Sequence, residues 1–257
     1  MTLQEISQLP ADDGVYIFEK EQTLFEEYYL KVRQKEKRLY SDDEVKLLPF
    51  ASSLNLHKSE WDRRVKSFLR FKDYLKKFKQ SIDILDLGCG NGWFTGELSK
   101  FFDHRFYCID LNLYELKQAA RIFKNENLKF IFGDIFKMKL AKSSFDLIAL
   151  NSSIQYFDDI NKLLKELLFT LKLDGEIHII DSPFYESEQV DKAKKRSETY
   201  FNSLGFPKMK EFYFHHTYES LIDFNSQILY DPRKFKNKLL SFTFKSGSLF
   251  PWVKIKR

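Results

Sequence analysis

Hydrophobic positions recur along this chain with two different periods. Phe25, Tyr28, Tyr29 and Val32 fall at i, i+3, i+4 and i+7, with Glu26, Lys31, Arg33 and Lys35 turned away, so this stretch predicts an amphipathic helix. Ser41 and Glu44 have capping-box spacing, and a short turn ends at Pro49. A second helix is expected from Ser59, capped through Asp62, with an apolar stripe of Trp61, Val65, Phe68, Leu69, Leu75 and Phe78. Residues 1–80 contain no glycine after Gly14 and predict a helical N-terminal extension. Its helices either pack against the sheet or cover a ligand with Tyr29, Arg33, Trp61 or Arg64.

From Ile82 the rhythm changes to short apolar runs. Strands are expected over 82–87, 105–110, 128–132, 145–150 and 175–180, separated by helical patterns. The clearest of these patterns is Ile160, Leu163, Leu164, Leu167, Leu168 and Leu171, with Asp158 and Asp159 as candidate caps and Gly175 as a stop. Connections long enough for a helix between short buried strands imply an α/β fold, a parallel sheet with helices on both faces and right-handed crossovers. Past Asp181 the pattern loosens. A helix is expected over 186–204 ending at Gly205, then a polar and aromatic segment through Phe214, His215 and His216, a short helix over 218–224, and closing strands over 227–230 and 252–255.

Composition narrows the setting. With 257 residues, 43% of them hydrophobic, the chain can bury a full core. The 42 Lys and Arg against 37 Asp and Glu leave a charge of +5, which permits an anionic partner without requiring one. The basic groups Lys192, Lys194, Lys195, Arg196 and Arg233, Lys234, Lys236, Lys238 read as solvated faces. Two cysteines, Cys89 and Cys108, make neither a disulfide framework nor a zinc spacing, so no metal is expected. No apolar span reaches bilayer length and no secretory leader is recognisable, so a soluble, cytoplasmic protein without membrane contact is the expectation.

The chemistry concentrates between Ile82 and Thr95. Gly88, Gly90 and Gly92 follow the first strand and precede Trp93, Phe94, Leu98 and Phe101 at helical spacing. Such a turn lets backbone approach a ligand and offers free N–H groups to a polar tail. A dinucleotide fingerprint G-x-G-x-x-G would need glycine where Trp93 or Thr95 stands, and a P-loop motif is absent.

Asp86-Leu-Gly-Cys-Gly-Asn-Gly92 resembles the first motif of class I S-adenosylmethionine-dependent methyltransferases, and later residues supply its companions. The resemblance implies a Rossmann-like three-layer sandwich with a mainly parallel seven-stranded sheet over residues 81–257, and the extension 1–80 covering the cofactor and substrate cleft. It also implies S-adenosyl-L-methionine as cofactor. By the same likeness Asp110 would accept from the ribose hydroxyls and Asp134 would hold the adenine amino group between Leu111 and Ile135. Asn151 would lie beside the methyl group, with Asp86, Gly88, Cys89, Gly90 and Gly92 shaping the cofactor turn. Leu171-Lys-Leu-Asp-Gly175 resembles the family's turn before strand five, with Asp174 where proline is usual.

The expected reaction is direct displacement onto an oxygen, nitrogen or carbon atom of a small molecule, for which the protein need only align, exclude water and sometimes take a proton. Candidate proton acceptors are His215, His216, His178 and Asp181, with Asn151, Gln155 and Tyr156 as positioning groups; His178, mid-strand, reads as a core residue. Two other readings stay open: an RNA methyltransferase, although Asn151-Ser-Ser-Ile154 is not an N-P-P-Y motif, and a non-catalytic regulatory protein that binds the cofactor.

Overall fold

The computed structural model describes residues 1–19, 23–234, 237 and 247–257. Lys236 and Lys238 of the second basic group lie outside the described residues. The chain opens with α1 (Leu3–Ile6), the short strands β1 (Ala11–Asp12) and β2 (Val15–Ile17), and the helices α2 (Leu24–Lys35), α3 (Asp42–Leu47) and α4 (Lys58–Leu75). Alternating strands and helices come next: β3 (Asp83–Leu87), α5 (Trp93–Leu98), β4 (Arg105–Asp110), α6 (Leu113–Ile122), β5 (Leu128–Phe132), α7 (Ile135–Met138), β6 (Phe145–Asn151), α8 (Ile160–Thr170) and β7 (Leu171–Ile180). The end of the chain adds α9 (Val190–Leu204), β8 (Asn225–Tyr230) and β9 (Trp252–Lys256).

Among the described residues the strands form one sheet of nine, in the order β1-β2-β5-β4-β3-β6-β7-β9-β8. The expected seven-stranded sheet is therefore extended by two strands. β2 adds parallel to β5 and β1 pairs antiparallel with β2, so the first eighty residues are not wholly helical. From β5 to β7 all pairings are parallel, and β9 runs antiparallel between β7 and β8. Chain order reverses between β3 and β6, which places a crevice at the carboxyl ends of those two strands.

Side-chain alternation on the strands divides the core into two layers. Ile84, Phe106, Cys108, Phe130 and Leu147 face α4, α5 and α6, where Phe68, Phe71, Phe94 and Leu116 pack. Leu85, Ile109, Ile131, Ile148 and Ile177 face α8 and α1, where Leu163, Leu164, Leu167 and Ile6 pack. A smaller cluster joins α2 to α9 through Val32, Phe201 and Met209.

Local chemistry starts and stops these elements. The Ser41 and Glu44 capping box forms as expected on α3, and Asp159 caps α8 by accepting from the Lys162 N–H at 2.9 Å. The expected Ser59 cap does not form: α4 begins at Lys58 with His57 at its N-cap and no side-chain cap. Gly175 is not a stop either. β7 runs through it, and a register shift against β6 between Phe145 and Leu147 absorbs the exposed segment around Leu173 and Asp174. The expected helix over 218–224 is a single 3-10 turn, Tyr218–Leu221.

His178 is fully buried in β7, as its mid-strand position suggests. The Trp252 Nε1–H donates to its Nδ1 at 3.0 Å, so the ring proton sits on Nε2 and donates to Glu176 at 3.3 Å. With both ring nitrogens occupied inside the sheet, His178 has no role at the crevice.

Candidate active site

The turn after β3 is tied down by the end of β4. Gly88 N–H donates to the Ile109 carbonyl at 2.8 Å and Gly90 N–H to Asp110 Oδ2 at 2.7 Å, while Asp110 Oδ1 accepts from Asn112 N–H at 2.8 Å. These donors, expected to be free for a ligand, are thus spent on fixing the loop, and Asp110 serves both as a buckle and as a wall. Its burial raises its pKa despite backbone donors at Gly90, Asn112 and Leu111. Asn112 caps α6 through Glu115 N–H, and Glu26 of α2 accepts from Leu113 N–H at 2.8 Å, so the N-terminal extension is pinned to this same loop.

Three adjoining cavities open here. The first, about 210 Å³, is bounded by Gly88, Gly90, Asp110, Leu111, Asp134 and Ile135, with Phe25 and Tyr29 of α2 across from them. Asp134 Oδ1 caps α7 through Phe136 N–H at 2.9 Å, which leaves its other oxygen to a ligand. The second, about 80 Å³, is lined by Cys89, Asn151, Glu115 and Trp61 together with Arg33, Arg38 and Arg64, the last lying over the Trp61 ring at 5.3 Å. Asn151 Oδ1 is buried there without a hydrogen-bond partner. Burial pushes the Glu115 carboxyl up to about 7, against the pull of Arg33. Burial acts on Glu60 in the same sense, but Arg64 and Arg38 outweigh it and hold that carboxyl down at about 2.

The third cavity is the largest of these three, about 570 Å³, and is walled by residues of α2, α4, α9 and the segments after β6 and β7. Ser152 and Asp181, each just past a strand end, adopt the left-handed region with φ of 59° and 50°. Non-glycine residues held there concentrate at functional sites. Asp181 Oδ1 accepts from Ser67 at 2.6 Å and Ser248 at 2.9 Å, whereas its Oδ2 is buried with no partner. Tyr29 and Ser152 border all three cavities.

The crevice brings together Gly88, Cys89, Gly90, Asp110, Leu111, Asp134, Ile135 and Asn151. It also gathers Tyr29, Arg33, Trp61 and Arg64: Trp61 packs in the core, and all four line the small cavity. Two expected turn residues stand back from the ligand space. Gly92 is at the N-cap of α5, where an added Cβ would meet Phe130 at 2.7 Å, and Asp86 lies beneath the turn, 1% exposed, with both carboxylate oxygens unpartnered.

The histidine candidates are corrected. His215 Nε2 pairs with Ser197 at 2.9 Å, and buried His216 shares a hydrogen bond with the Ile154 carbonyl at 3.1 Å; neither lines any of the three cavities. Arg38, Glu60 and Glu115 were not singled out in the sequence, where each reads as an ordinary charged helix or turn residue. The only available signal was the Asn112 to Glu115 spacing, which marks a helix start rather than a site.

Asp86 yields a prediction about pH. Burial, with Asp110 adding in the same direction, pushes its carboxyl up to about 7, above the usual aspartate value of 3.8. Between those values the folded state holds a proton that the unfolded state has released, so stability falls as pH rises through that window. At 1.36 kcal/mol per unit the loss is on the order of 4 kcal/mol. Urea unfolding of the ligand-free protein at pH 5 and pH 8 is expected to show a clearly smaller difference for Asp86→Asn than for the wild type. Equal differences would contradict the assignment.

Residues 85–179 match the family described as "Methyltransferase domain". Over 98 residues the chain is 34% identical to a malonyl-[acyl-carrier protein] O-methyltransferase of Acetivibrio thermocellus, covering 38% of this chain and 34% of that protein. Over 101 residues it is 31% identical to the sterol 24-C-methyltransferase erg6 of Aspergillus fumigatus, covering 38% of this chain and 27% of that protein. The chain thus spans about a third of the length of the curated relatives it matches. The fold resembles a crystal structure of geranyl diphosphate C-methyltransferase from Streptomyces coelicolor A3(2) in complex with S-adenosyl-L-homocysteine, with a TM-score of 0.53, 15% identity and coverage of 91% of this chain and 98% of that one. The similarity to the two relatives spans different acceptors, an acyl-carrier-bound malonyl oxygen and a sterol carbon. Among the described residues no group of His, Cys, Asp or Glu is arranged to hold a metal, and no helix is long and apolar enough to cross a membrane.

Proposed function

We propose, from the premise that this chain carries a class I S-adenosylmethionine-dependent methyltransferase domain, that it transfers a methyl group to an oxygen, nitrogen or carbon atom of a small molecule. The observation that carries this reading is the meeting of the three cavities at Tyr29 and Ser152. Two of them suit the halves of one cofactor, and the third is room for an acceptor beside it.

The residues present fit S-adenosylmethionine. Asp110 and Asp134 keep lone pairs for hydroxyl and amine donors, with Leu111 and Ile135 as apolar walls for a flat ring. Asn151 Oδ1, buried without a donor, suits an ammonium group, and Arg38 and Arg64 line the same space, where a carboxylate would find guanidinium donors. When bound, the cofactor supplies an electrophilic methyl on a sulfonium. The protein's own part is alignment and exclusion of water: Phe25 and Tyr29 close over the cofactor side, and Tyr156 and Tyr213 wall the acceptor side. Tyr29 stays a neutral phenol, its pKa raised well above the usual value by burial. In this arrangement the extension 1–80 acts as the cover of the domain 81–257.

The walls that α2, α4 and α9 raise around this cavity favour a small acceptor over an RNA strand. The test is incubation with methyl-labelled cofactor and whole-cell extract, divided into nuclease-treated, protease-treated and small-molecule fractions. Label is expected in the small-molecule fraction. Label removed by nuclease would replace this reading with the RNA one, label removed by protease would mean a carrier-bound acceptor, and no label despite cofactor binding would mean a non-catalytic protein.

A further inference from the structure

We infer that the acceptor is a small molecule bearing a carboxylate or phosphate group, which Arg63 and Arg196 hold in the 570 Å³ cavity; this rests on the methyl-transfer reading of the same cavity. The five arginines that line the cavity fall into two sets. Arg33, Arg38 and Arg64 also border the small cavity by the glycine turn, so they belong to the cofactor side, and each is already paired with a glutamate. Arg38 and Arg64 share Glu60 at 2.5 and 3.1 Å, Arg64 also donates to Ser152, and Arg33 meets Glu36 at 3.4 Å.

Arg63 of α4, half-buried, and Arg196 of α9, exposed at the rim and hydrogen-bonded to Tyr185, line the acceptor cavity and not the two cofactor-side cavities, and neither forms an ion pair among the described residues. The acids of this wall cannot neutralise them, since Glu36 and Glu60 are taken and Asp181 is anchored on two serines. Two guanidiniums without a carboxylate partner on a concave wall are forked donors matched to a carboxylate or phosphate, and the wall strengthens their field. Lys192 and Lys195 continue the positive charge outward along α9 beside Arg196 and would steer an anion to the mouth.

Two further features define the rest of the molecule. Tyr156, Phe201, Met209 and Tyr213 give the cavity an apolar stretch for a hydrocarbon or aromatic body. Asp181 Oδ2, buried and unpartnered, calls for a donor, so the acceptor also carries a hydroxyl or amine.

Calorimetric titration tests this, with and without saturating S-adenosylhomocysteine, whose own binding is measured first. The probes are 3-(4-hydroxyphenyl)propionate against its methyl ester, and phenyl phosphate against phenol; the two pairs separate a carboxylate site from a phosphate site. At least one anion is expected to bind about tenfold or more tighter than its neutral partner, with an affinity that falls as salt rises. The double variant Arg63→Gln/Arg196→Gln is expected to erase that preference while leaving S-adenosylhomocysteine affinity and melting temperature unchanged. The inference is overturned by neutral probes binding as well as the anions, by no anion binding in either state, or by a folded double variant that keeps the preference. Loss of S-adenosylhomocysteine binding in the wild type would instead sink the methyl-transfer reading, and the anion preference is read separately in its absence.

Discussion

Asp110→Ala is expected to weaken S-adenosylhomocysteine binding by roughly 30- to 150-fold, about 2 to 3 kcal/mol. The size comes from the two tasks of one carboxylate. It faces the 210 Å³ cavity as an acceptor, and it holds the Gly90 and Asn112 N–H groups that fix the turn. Removing it leaves those donors to find water and loosens the wall that Gly88 and Gly90 form. Asp110→Asn keeps a single acceptor oxygen and is expected to lose less than the alanine variant. Calorimetry on folded protein checks both; alanine affinity within twofold of wild type would mean that the ligand does not meet the end of β4.

The second large effect concerns the turn itself. Gly88→Ala is expected to lower stability by about 2 to 4 kcal/mol, because a side chain at φ 77° is strained and its Cβ would overlap the Ser153 Cβ. Ser153 cannot readily retreat, since it is 3% exposed and its hydroxyl donates to the Leu87 carbonyl at 2.7 Å. For a chain of this size the melting temperature should drop by roughly 4 to 16 °C. Gly205→Ala separates the two causes: Gly205 has φ 84° after α9 but nothing within 4 Å of an added Cβ, so only the backbone cost of about 1 kcal/mol applies. Thermal unfolding of the two variants side by side measures the contact contribution, and equal losses would show that Ser153 yields.

The parallel sheet was legible because β3 to β7 are apolar runs bounded by helical patterns, and the glycine turn is a local signal that needs no partner to be read. The edge strands were not. Ala11–Asp12 and Val15–Ile17 are too short to carry a period, and β2 is a strand only because β5 offers it an edge. Gly175 misled in a related way: glycine after a helical run usually ends it, but here the β6 partner continues the ladder past it. The site divides along the same line. Asp110, Asp134 and Asn151 each end or closely follow a strand and could be placed by counting strand-helix units. Glu115, Arg38 and Glu60 come from separate parts of the chain and meet only at the crevice, which no local pattern encodes. His215 and His216 looked reactive by residue type, yet their hydrogen bonds bind them to Ser197 and the Ile154 carbonyl.

The central claim is that the crevice between β3 and β6 receives S-adenosylmethionine. Isothermal titration of the full chain with S-adenosylmethionine, S-adenosylhomocysteine and NAD tests it most directly. Binding of the first two with one site per chain, and none of NAD, is the predicted result; binding of NAD, or of neither S-adenosyl compound, would contradict it.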